Sequence, residues 1–72
     1  MKIEYFSDTD SLYIHLSSKV SANSEEVAEG TVIDYDEDGN IVGIDVDNAS
    51  TKLELDELTL DHLPVRRERL SA

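Results

Sequence analysis

Between residues 34 and 45, carboxylates recur at a spacing that could hold a cation: Asp34, Asp36 and Asp38 alternate, Gly39 follows, and Asp45 closes the run. Counted from Asp34, the run reproduces much of a calcium loop of the EF-hand type. Oxygen ligands stand at positions 1, 3 and 5, glycine at 6, apolar Ile41 at 8 and a carboxylate at 12. Calcium takes ~6–8 oxygens, and carboxylates crowded on a tight turn supply several. The context is wrong for that motif, however. Position 9 is Val42, which has no side-chain oxygen, and Asp45 is too short for the usual bidentate Glu. β-Branched and aromatic residues flank the turn where an EF-hand has helices. Asp34, Asp36, Asp38 and Asp45 are thus the candidate ligands of a looser Ca²⁺ or Mg²⁺ site, and no other cofactor is expected. The competing reading, which the pattern favours, is a solvated hairpin tip from Asp36 to Asn40 whose charges oppose edge pairing.

Other reactive types are present without a constellation around them. His15 falls on the polar side of an alternating segment and His62 in a Leu-rich one, and neither has an orienting partner nearby in sequence. No Ser stands in a Gly-x-Ser-x-Gly elbow or a Ser-x-x-Lys motif. Adjacent Glu25 and Glu26 point to opposite faces of an extended strand, which spoils them as a proton-sharing pair. Gly30, Gly39 and Gly43 are scattered and make no phosphate-cradling loop. No catalytic residue is assigned, and an enzyme is the least supported class.

The elements that must position these residues are strands. Lys2 to Phe6 alternates polar and apolar. After the turn-forming Ser7 to Asp10, Leu12, Ile14 and Leu16 line one face and Ser11, Tyr13 and His15 the other, giving a hairpin. Residues 17–24 are small and polar. Glu25 to Asp36 reads as one extended piece with a bulge or bend at Gly30. Glu37 to Asn40 is a turn in which Gly39 takes a positive φ, and Ile41 to Asp47 returns with Val42, Ile44 and Val46 opposite Gly43, Asp45 and Asp47. From residue 53 to 63, leucines at mixed steps of two and three fit either a helical turn or a short strand. Tyr5 and Tyr35 share faces with Ile3 and Ile33, whereas Tyr13 lies on the other side with His15 and Phe6.

The fold class expected is mainly β, with α+β as the variant: a four- to five-stranded antiparallel meander ending in a short helical turn or strand and completed by dimerisation. One domain spans residues 1–63, and residues 64–72 form a polar tail carrying Arg66, Arg67 and Arg69.

Composition narrows the function classes. Seventy-two residues hold six Lys and Arg against seventeen Asp and Glu, a net charge of −11. Residues 1–63 carry −13 and residues 64–72 carry +2, so the charge belongs to the body of the domain. Such a surface repels a polyanion, which argues against nucleic acid. No cysteine is present, so disulfides and thiolate metal sites are excluded and a reducing compartment, the cytoplasm, is expected. Apolar runs stop at three residues, and neither a membrane span nor a leader peptide is expected.

A wider pattern resembles a known family. Met1 to Tyr5, Asp10 to Ile14, Ser24 to Val27, Asp34-x-Asp36-x-x-Gly39-x-x-x-Gly43-Ile44 and Ala49-Ser50 together resemble the small bacterial proteins of the domain of unknown function 2283 family, over roughly residues 1–55. Phe6-Ser7 departs from the acidic or proline-containing turn expected there. The resemblance implies a small β-rich fold and assigns no activity. It also carries an association with small two-protein operons of the toxin and antitoxin type.

Size sets the last expectation. A chain this short balances apolar burial against ~1.5 kcal/mol of ordering cost per residue at close to zero, so something must add stability. With both sheet faces carrying large apolar residues, a homodimer is the expected answer. Function is expected to lie in protein interaction: an accessory module for a basic protein, such as the neutralising partner of a toxin. Divalent-cation binding at the acidic hairpin is the alternative.

Overall fold

The structure, a computed structural model, describes residues 1–61. Five strands, β1 (Lys2–Phe6), β2 (Ser11–His15), β3 (Asn23–Ala28), β4 (Thr31–Tyr35) and β5 (Ile41–Asp47), precede one turn of helix, α1 (Ala49–Lys52). They form a single antiparallel sheet in the order β1-β2-β5-β4-β3. The mainly β, five-stranded antiparallel expectation holds.

The order differs from a plain meander at one junction. Residues 16–22 carry the chain from β2 past β5 and β4 to the far edge, so that β3, β4 and β5 return hairpin by hairpin and β5 docks on β2 in Greek-key order. The crossing runs along the end of the sheet, where the N–H groups of Leu16 and Ser17 donate to the Val42 carbonyl (2.9 and 3.2 Å) and that of Ala22 to Tyr35 (2.7 Å). This connection makes β5 the central strand, with β1 and β3 as the edges among the described residues.

Gly30 does not bend a continuous strand. With φ at 73° it sits in the tight turn that separates β3 from β4, while the register shift lies at Glu26/Ala28. Gly39, at φ 85°, turns β4 into β5 as expected. The helical turn falls at Ala49–Lys52, and residues 53–61 form neither helix nor strand. His62, the domain limit at residue 63 and the tail of residues 64–72 lie outside the described residues.

Asp10 fastens α1 to the sheet. Held at φ 52°, it accepts the Ala49 N–H on its carbonyl (2.9 Å) and the Ser50 N–H (3.1 Å) and hydroxyl (2.7 Å) on its carboxylate, which also takes the Tyr5 hydroxyl (2.8 Å). Ala49 is thereby pressed, fully buried, against Leu12 and Val46, with Ile14 and Ile44 alongside. Among the described residues, Leu12, Val42, Val46 and Ala49 complete the buried apolar core, and no large side chain is fully enclosed.

Candidate functional site

Register decides which side chains share a face. Opposite the Leu12 and Ile14 side, the pairings Glu4↔Tyr13, Lys2↔His15, Tyr13↔Asp45, His15↔Gly43, Gly43↔Asp34 and Asp34↔Ser24 gather polar groups from all five strands onto one surface.

Tyr13 is the organiser of that surface. From β2 its ring reaches over β5, and its hydroxyl donates to Asp34 Oδ2 on β4 at 2.6 Å. The route exists because residue 43 is glycine: a methyl group there would overlap the Tyr13 hydroxyl. Ser24 on β3 donates to the other oxygen of Asp34, also at 2.6 Å. On the opposite flank, the His15 ring meets Tyr13 edge-on with centroids 4.6 Å apart. Its Nε2 lies 2.7 Å from Glu4 Oε1, an oxygen that Lys2 approaches at 3.6 Å. A polar row thus crosses the sheet, hydrogen-bonded from Glu4 to His15 and from Tyr13 through Asp34 to Ser24, with the His15–Tyr13 ring contact joining the two parts.

The electrostatics are lopsided. Hydrogen bonding to Asp34, then burial, pushes the Tyr13 hydroxyl up to about 12, so it keeps its proton at neutral pH and cannot act as a base. Glu4 is held below the usual carboxylate range by its bond to His15. Asp45 is pushed up, first by desolvation and then by the neighbouring charges of Asp47 and Asp34. Among the described residues the ion pairs on this face are Lys2–Glu4 and His15–Glu4, and neither involves Asp34, Asp45 or Asp47. Half-exposed carboxylates around a fixed aromatic ring suit the reception of a guanidinium or ammonium group far better than proton abstraction.

The four candidate cation ligands are not brought together. Asp34 and Asp45 stand on this face, with Asp34 occupied by Tyr13 and Ser24. A register shift between Asp34 and Tyr35 turns Asp36 away into its own loop. There, 5% exposed, it accepts the N–H groups of Asp38 and Asn40 on Oδ1, both at 2.9 Å, and these bonds hold its carboxyl below the usual range. Asp38 is exposed at the tip. Among the described residues, no group of three or more His, Cys, Asp or Glu is arranged to hold a metal ion. The sequence missed the Tyr13, Asp34 and Ser24 connection, whose one signal was Gly43, a glycine amid the β-branched residues of the central strand.

A family model described as protein of unknown function (DUF2283) matches residues 2–50, more than half of the chain. The chain belongs to the DUF2283 family. The match runs from β1 into α1, so it contains the whole sheet of this DUF2283 member and every residue of the polar row. Neither a curated protein nor a solved structure matches it.

Proposed function

We propose that this DUF2283 domain is a protein-interaction module that receives a basic protein surface on the sheet face of Tyr13, Asp34 and Asp45. The supporting observation is the set of carboxylates Asp34, Asp45 and Asp47 beside Tyr13, unpaired with any cation among the described residues, in which Asp45 is raised by desolvation and then by the charges of Asp47 and Asp34. An arriving Arg or Lys relieves the repulsion among these charges, and the net charge of −11 steers its approach. The neutralising half of a toxin and antidote pair, in a reducing cytoplasm compatible with the lack of cysteine, is the setting this chemistry fits.

The test is affinity capture from cells of the natural host, followed by calorimetry with the recovered protein. The wild type is expected to retain a protein of high pI, with affinity falling as salt rises. The combined variant D34N/D45N/D47N is expected to bind at least ~30-fold more weakly, the effect of losing about 2 kcal/mol of interfacial charge pairing. A variant with equal charge removed elsewhere, E37Q/D38N/E57Q, should bind as the wild type does. Equal weakening in both variants, or no basic protein retained, refutes the proposal.

A further inference from the structure

We infer that a second copy of this chain covers the opposite, apolar face of the sheet, packed along a stripe of isoleucines. The pairings Ile3↔Ile14, Ile14↔Ile44 and Ile44↔Ile33 align four isoleucines straight across β1, β2, β5 and β4. None of the four is buried in the single chain, and Ile3 is 42% exposed. Tyr5 (47%) and Leu16 (40%) extend the same face at its margins.

Charge selects the occupant. Of the strand residues on this side, Glu25 on the edge strand β3 is the one that bears a charge, whereas Glu4, Asp34, Asp45 and Asp47 all point to the other side. A copy carrying −11 is repelled by every acidic surface of its twin but meets almost no charge here. A basic partner is drawn to the opposite face. A straight apolar stripe is also self-complementary under a two-fold axis, as an isologous contact requires.

Area is of the right order. Five strands at ~4.8 Å spacing and ~3.3 Å per residue present a face of roughly 24 by 20 Å. α1 already covers this face at Leu12 and Val46, so two such faces opposed remove at most about 1,000 Å² in projection, near the ~1,200 Å² at which specific interfaces begin, and the open part is the stripe from Ile3 to Ile33. The contact also supplies the burial that four core residues do not provide on their own.

Light scattering on the full chain tests this. The expected mass is twice the 8.0 kDa of one chain. Ile3→Lys and Ile33→Lys, at positions that are not buried, should halve it while β-sheet circular dichroism persists. Phe6→Lys, 44% exposed on the other face, should leave it doubled. A single-chain mass for the wild type, or a doubled mass retained in both isoleucine variants, overturns the inference. Should both variants unfold, isotope-filtered NMR on a mixture of labelled and unlabelled wild type decides. Contacts between copies at the Ile14 and Ile44 methyls support the stripe, and contacts confined to Phe6, Tyr13 or His15 refute it.

Discussion

Asp45 sits on the central strand between Tyr13 of β2 and Val32 of β4, near the charges of Asp34 and Asp47. Because its folded pKa is raised, the stability it contributes is complete below its unfolded value near ~4 and is lost as pH rises through the folded one. At pH 7 the ionised side chain therefore opposes folding. Asp45→Asn is expected to raise the melting temperature at pH 7, with the gain over wild type closing below about pH 4, in calorimetric scans at the two pH values. The same substitution should weaken retention of a basic partner, a trade of stability for recognition. Asp10, Asp36 and Glu4 act with the opposite sign. Their lowered values mean stability present above about pH 4 and lost as pH falls through each folded value. Acid denaturation should thus begin below that point and start at higher pH in Asp10→Asn, which loses the charge on which Tyr5 and Ser50 converge. Alternation placed Tyr13 with His15 and Gly43 with Asp45, so the residues of the polar face were legible. Their bonding was not, because Tyr13 meets Asp34 only once β5 lies between β2 and β4.

Among the elements, β5 decides most of the architecture. It pairs with both β2 and β4, carries Val42 and Val46 into the core, and at Gly43 clears the path of Tyr13. Gly43→Ala should displace the Tyr13 ring and break its bond to Asp34, at about 1–3 kcal/mol, or roughly 5–15 °C of melting temperature. Adding Tyr13→Phe to that variant should cost little more, since both changes remove one interaction, and a double-mutant cycle by thermal denaturation measures the overlap. Val46→Ala, which thins the contact with Leu12 and Ala49, should cost about 1–3 kcal/mol, while Val20→Ala, 84% exposed, should cost nothing measurable. The strands themselves were legible wherever apolar residues alternated, as in β2 and β5. Gly30 misled because a glycine amid alternating residues marks a bulge and a two-residue turn equally well, and only the pairing of β3 with β4 tells them apart. Strand order was hidden for a related reason: β2 and β5 are distant in sequence, and their register is fixed by Leu12 meeting Val46 and Ile14 meeting Ile44 rather than by any local turn.

At the scale of the whole molecule, the division of labour between two faces explains how a domain with a net charge of −11 folds at all. Carboxylates collect on one side of a thin sheet and around its turns, so mutual repulsion is a surface property that mobile ions screen over about 8–10 Å. The apolar side is left free for burial. Screening of this kind depends on ionic strength and is indifferent to the identity of the cation. A specific site depends on identity, because it needs several oxygens at fixed distances. The loop oxygens offer no such set: Asp36 spends Oδ1 on the N–H groups of Asp38 and Asn40, and Asp34 spends both oxygens on Tyr13 and Ser24. The melting temperature should therefore climb as NaCl is added. Millimolar CaCl₂ or MgCl₂ should raise it no further than NaCl of the same ionic strength, and D36N/D38N should leave that response unchanged. A calcium increment beyond the matched salt, abolished in the double variant, would restore the acidic hairpin as a cation site. Its absence leaves these carboxylates as charges that mobile ions screen, with Asp45 and Asp47 outside any ion pair among the described residues.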